Sequence, residues 1–142
     1  MSDCSDPEIL QAYEEVRSDK SPINWMLITY KEGTNQTVWT LVGKGEGGFQ
    51  ELKSNIDDKF IGYGYLRVTT GDDMSVRSKF VFIKYIAKGT RMNIKAKMNI
   101  HRGDVEKVIN QISISFDADS LDELDEDEIN ARLFKAGGAH YN

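Results

Sequence analysis

Residues 60–86 read FIGYGYLRVTTGDDMSVRSKFVFIKYI, and this stretch decides the fold. Phe60 to Thr70 is rich in aromatic and β-branched residues, which predicts a strand. Gly71-Asp72-Asp73-Met74-Ser75 carries turn chemistry. Lys79 to Ile86 predicts a second strand, in which Phe80, Val81, Phe82, Ile83, Tyr85 and Ile86 are apolar. A strand that is apolar on both alternating sides suits the middle of a sheet covered on both faces. Gly62 and Gly64 lie two apart and share a face, where a neighbour such as a helix can pack close.

Upstream, Asp6-Pro7-Glu8 marks a helix start, with Asp6 as cap and Pro7 at the first helical position. Ile9, Leu10, Tyr13 and Val16 follow at helical spacing, and the helix should end near 17–20, before Ser21-Pro22. Trp25–Tyr30 and Thr37–Val42 read as strands, and Glu32-Gly33-Thr34-Asn35 joins them as a hairpin. The glycine-rich run Gly43-Lys44-Gly45-Glu46-Gly47-Gly48 is predicted to end that hairpin. Phe49, Leu52 and Ile56 suggest a short helix. Downstream, residues 91–111 show helical periodicity, with Gly103 expected to kink or divide it. Ile112, Ile114 and Phe116 alternate as a last short strand. Ser120-Leu121-Asp122-Glu123 matches a capping box and is predicted to start a final helix, which ends at Ala136 before Gly137-Gly138. This order implies an α/β (α+β) architecture, a central mixed sheet with helices on both faces.

The chain has 142 residues, enough for one domain over 1–142, with a core at about 6–137 and flexible termini. A single cysteine, Cys4, excludes an internal disulfide framework and a cysteine-based zinc cluster and suits a reducing compartment. The N-terminus lacks the basic and apolar blocks of a secretory signal. Apolar runs stay near four residues, as in Trp25-Met26-Leu27-Ile28, so no membrane span is expected. The net charge of −5 speaks against general nucleic-acid binding but hides an asymmetry. Arg67 to Lys107 holds ten Lys/Arg and four Asp/Glu, a balance of +6, and the remainder carries −11. A basic stretch on an acidic chain suggests a face for an acidic partner.

Catalytic and metal motifs are weak. Asp117, Asp119, Asp125 and Glu128 fall on calcium-loop positions, but Leu121 and Asp122 occupy places that need a ligand and a glycine. His101 and His140 make no zinc pair. The glycine run 43–48 lacks phosphate-loop spacing, and no Gly-x-Ser-x-Gly elbow occurs. No cofactor, metal or catalytic constellation is read, and the chain is expected not to be an enzyme. Tyr63, Tyr65 and Phe82 could stack on single-stranded nucleic acid, but aromatics on such a sheet read more simply as core.

The run Leu66–Phe80, with Thr-Thr-Gly-Asp, Met-Ser and Arg-Ser-Lys-Phe within it, resembles the coactosins of the actin-depolymerising-factor homology family. So do Lys135-Ala136-Gly137-Gly138-Ala139-His140-Tyr141, Ala12-Tyr13 and Val16-Arg17. The resemblance covers essentially the whole chain. It implies a five- or six-stranded mixed sheet between helix pairs. It also implies a cytoplasmic, non-catalytic protein of the actin cytoskeleton that binds filamentous actin. Oligomeric state is left open by the sequence, with monomer as the default. By that resemblance Arg77 and Lys79 are the leading filament contacts, and Lys135 and Arg132 on the last helix are secondary ones. Val76 departs from the pattern, since coactosins often carry lysine there. Lys95-Ala96-Lys97-Met98 resembles the Lys-x-Lys-Met motif of the long helix of cofilins, which engages monomeric actin as well. A cofilin-like reading, with Lys95, Lys97 and Met98 as contacts, is therefore the alternative. A more remote one is a small-ligand sensor, which would need an apolar pocket. Cofilins carry a phosphorylated N-terminal serine, but the sequence around Ser2 matches theirs poorly.

Overall fold

The computed structural model describes residues 1–72 and 75–138, with side chains described for 1–70 and 77–136. Its elements are α1 (Pro7–Arg17), β1 (Trp25–Tyr30), β2 (Trp39–Gly45), α2 (Gly48–Ser54), β3 (Ile61–Asp72), β4 (Ser75–Ile86), α3 (Met92–Glu106), β5 (Ile114–Ala118) and α4 (Glu126–Gly138). The strands form one five-stranded mixed sheet in the order β2-β1-β3-β4-β5. β1 pairs antiparallel with β2 and β3, and β3 with β4. β5 is parallel to β4, so α3 serves as the crossover that a parallel neighbour requires.

Strand alternation divides the interior into two cores. On one face Met26, Ile28, Tyr63, Tyr65, Phe80 and Phe82 meet α1 and α3 through Ile9, Tyr13, Val16, Met98 and Val105. On the other, Trp25, Leu27, Leu66, Val81 and Ile83 meet α2 and α4 through Leu52, Ile129 and Leu133. β4 feeds both cores from an interior position, as its apolar run predicts. No described helix is long and apolar enough to cross a membrane.

Asp6 caps α1 as expected, its carboxylate accepting the Glu8 N–H at 2.9 Å with Pro7 in the first turn. The glycine pair in β3 has two different neighbours. A Cβ on Gly64 would lie 3.4 Å from Leu52 of α2, so a helix does pack there. A Cβ on Gly62 would fall 2.1 Å from the Ile28 carbonyl oxygen, so that glycine permits the β1–β3 approach itself.

Several boundaries differ from the sequence reading. β4 starts at Ser75 rather than Lys79, because its ladder with β3 runs out to the Asp72–Ser75 pair. Asp73 and Met74 of the predicted turn lie outside the described residues. β2 runs on through Gly43-Lys44-Gly45 past a register irregularity at Leu27/Ile28. A Cβ on Gly43 would touch the Trp25 ring at 3.4 Å, so the strand continues beneath the indole. Gly103 neither divides nor ends α3. β5 begins at Ile114, and Ile112 packs instead against the α1/α3 core. Ser120 and Glu123 do bond as a cap, with Glu123 N–H to Ser120 Oγ at 3.3 Å and Asp119 N–H to Glu123 Oε1 at 2.9 Å. They close a separate turn, and α4 starts later, at Glu126. It runs to Gly138, so Ala139, His140 and Tyr141 of the tail motif lie outside the described residues.

Candidate functional site

Arg77 and Lys79 stand on the outer half of the β3–β4 hairpin, paired with Thr70 and Val68. They are two apart in one strand, so both side chains leave the same face. It is the face on which Val81 packs with α4. Arg77 is exposed and Lys79 half-buried. The side chain of Val76 lies outside the described residues.

On α4, Ile129 and Leu133 turn inward, and Arg132 and Lys135 are exposed. Arg132 lies over the Phe116 ring, 4.7 Å from its centroid, and pairs with Glu128 at 3.3 Å. Its guanidinium thus clasps α4 to β5 as well as presenting charge. Sequence reading passed over Phe134, which is 56% exposed between these two cations. The signal was available: Phe134 falls outside the Ile129/Leu133 stripe at helical spacing.

The α3 residues divide. Met98 is buried in the α1/α3 core, and its carbonyl accepts the Tyr63 hydroxyl at 2.8 Å. This corrects its assignment as a surface contact: position 98 shares the inward stripe with His101 and Val105. Lys97 turns to the β1–β2 loop, donating to the Asn35 carbonyl at 3.2 Å and to Gln36 Oε1 at 3.3 Å. Asn35 and Gln36 both have left-handed φ, 53° and 56°, an uncommon succession for residues with side chains. Lys97 therefore steadies a strained loop. Lys95 instead lines an open cleft with Lys84, Asn99, Asp117, Asp119 and Glu123, across which Lys84 meets Asp117 at 3.5 Å. Its charged lining is not the apolar enclosure a small-ligand sensor needs.

The sheet register separates the two groups of cations. Arg77 and Lys79 lie at the hairpin end of the strands, on the α2/α4 face. Lys97 lies near the β1–β2 loop at the other end, on the α1/α3 face. Among the described residues no group of three or more His, Cys, Asp or Glu is placed to hold a metal ion.

The whole described chain resembles known structures. Its sequence matches the family model of cofilin/tropomyosin-type actin-binding proteins over residues 1–134. Coactosin of Dictyostelium discoideum is 41% identical over 143 residues, covering 100% of this chain and 96% of that one. The chain belongs to the coactosin group of the cofilin family. The crystal structure of Entamoeba histolytica coactosin superposes with a TM-score of 0.86 at 32% identity, covering 99% and 98% of the two chains. A solution structure of mouse coactosin, described as an actin filament binding protein, gives 0.76 at 29% identity over 99% and 95%. Like the rest of this family, this coactosin-type chain is an actin-binding protein.

Two further features of this chain lie on α3. The N-terminal segment folds back on it: the Ser2 N–H and hydroxyl both donate to Asp104 at 2.9 Å, and the hydroxyl accepts from the Trp39 indole. The backbone bond from Ser2 holds the Asp104 carboxyl below its ordinary value. His101, 6% exposed, meets the Tyr30 hydroxyl through Nδ1 at 2.8 Å. Burial lowers its pKa, with the N-terminal amine and Lys97 adding to the effect and Asp104 opposing it. The folded state thus favours neutral His101 more than the unfolded chain does, which protonates it near pH 6.5. Its contribution to stability is full above about pH 6.5 and is lost as pH falls toward the lower folded value. Urea unfolding at pH 7.5 and 5.5 should show a smaller acid loss in His101→Gln than in wild type. Equal losses would show that His101 is not the group responsible.

Proposed function

We propose that this protein binds the sides of actin filaments through Arg77 and Lys79, with Lys135 and Arg132 of α4 as flanking contacts. In this reading it acts in the cytoplasm as a monomer and modulates filament dynamics without catalysis. The observation that carries it is the placement of the two cations on one face of the hairpin, the face shared with α4, in a chain of coactosin type. Two ammonium or guanidinium groups on a paired strand present fixed charge to an acidic surface. High-speed co-sedimentation with filamentous actin is the test. The protein should pellet with filaments at about 0.1 M salt and less so as salt rises further, because the screening length is then already about 10 Å and shortening. Protein left in the supernatant at every salt concentration would overturn the reading.

A second reading, binding of monomeric actin through α3, draws on Met92 and Ile100, which are 79% and 72% exposed on that helix. Here Lys95 is kept, and Met92 and Ile100 take the place of Lys97 and Met98, which bond the β1–β2 loop and fill the core. Titration of monomeric actin distinguishes it: no binding at tens of micromolar ends this alternative.

A further inference from the structure

The loop that follows α1 grips the β3–β4 hairpin from the side opposite Arg77 and Lys79. Arg67 of β3 sends its guanidinium to four carbonyls, those of Glu15, Val16, Ser18 and Ser21, at 2.5–3.4 Å. The first of these are orphan acceptors at the α1 C-terminus. The Arg67 N–H also donates to the Asn24 carbonyl at 2.8 Å. Farther out, the Ser78 hydroxyl donates to Asp19 Oδ1 at 2.7 Å. Ser78 lies between the two cations in sequence but alternates onto the α1 face.

This grip falls where the sheet itself gives out. β5 pairs with β4 only from Val81 to Tyr85, so the ladder with β5 stops short of Arg77 and Lys79. A two-stranded ribbon is marginally stable by itself. The contacts from the α1–β1 loop carry support out to the Thr69–Ser78 pair.

We propose that Asp19, through Ser78, and Arg67 are positioning residues for the filament-binding hairpin, an inference that rests on the proposed function above. Asp19 makes the idea testable by sign. It is an exposed carboxylate bonded to the residue between the two cations, on the opposite face of the ribbon. Acting only as a charge, it would repel an acidic partner, and its removal would tighten binding. Acting as a brace, it holds Arg77 and Lys79 in place before contact, and its removal loosens binding.

Co-sedimentation of wild type, Asp19→Ala, Asp19→Asn and Ser78→Ala separates these cases. Ordering an interfacial side chain on binding costs enough that Asp19→Ala should weaken affinity by about threefold to tenfold. Asp19→Asn keeps the acceptor and loses the charge, so it should bind as well as wild type or better. Ser78→Ala keeps the charge and breaks the bond, so it should weaken binding at least as much as Asp19→Ala. Amide exchange at residues 77–79 should quicken in Asp19→Ala and Ser78→Ala but not in Asp19→Asn, with the urea midpoint little changed. Equal or tighter binding by Asp19→Ala would overturn the brace while leaving the filament site standing. Failure of wild type to pellet would remove the filament site, and the proposal with it.

Discussion

Lys79→Glu should weaken binding to filamentous actin by about 30-fold or more in co-sedimentation, the equivalent of about 2 kcal/mol. Lys79 is half-buried and sits opposite Val68, whose side chain packs against the α2/α4 core. Its stem is therefore held by the ribbon, and less freedom is lost when the ammonium meets a carboxylate. Lys79→Ala removes the contact, and Lys79→Glu adds repulsion, so the two should fall in that order. Lys135→Glu, on the exposed surface of α4, should act more weakly, as rim charges do. Neither Lys79 substitution enters a core, so both variants should unfold at the wild-type urea midpoint within about 0.5 kcal/mol. Wild-type pelleting by both would remove Lys79 from the interface.

Phe82→Ala is expected to be among the most damaging single changes to the fold. Phe82 is fully buried on an interior strand, stacked on Tyr63 with ring centroids 5.0 Å apart. The Arg102 guanidinium of α3 lies 5.2 Å from its ring. Truncation removes the ring from both neighbours and leaves a cavity between sheet and helix, at a cost of about 3–5 kcal/mol. That is a large part of the roughly 5–15 kcal/mol that holds a typical domain together. Urea unfolding measures it directly. Should the variant not accumulate, Phe82→Leu, which keeps most of the volume, should lose less. A loss below about 1 kcal/mol in Phe82→Ala would mean that the core closes over the gap.

Much of this fold was legible because burial writes itself into side-chain alternation. The apolar run 80–86 marked β4 as an interior strand, and Asp6-Pro7 marked the start of α1. Boundaries were harder where tertiary pairing decides them. Ser75-Val76-Arg77-Ser78 carries no apolar alternation, yet it is strand because β3 supplies the ladder. Gly103 lies on the exposed side of α3, where a glycine costs about 1 kcal/mol, and the inward residues Met98, His101 and Val105 hold the helix through it.

The candidate site was legible as a string of residues but not as a surface. Lys95, Lys97 and Met98 are neighbours in sequence, yet each helical step turns the side chain by about 100°. One faces a cleft, one a loop and one the core. Arg67 could not be singled out, since its four carbonyl partners lie 46 to 52 residues away in the chain.

Alternation along β4 has a consequence for how such a surface can change over evolutionary time. Odd positions 77 and 79 carry the two cations of the proposed filament site, and even position 78 carries the tie to the α1–β1 loop. Contact chemistry and stiffness are thus written on alternate letters of a three-residue word. A lineage can retune how firmly the arm is held without rewriting what it offers, and the reverse.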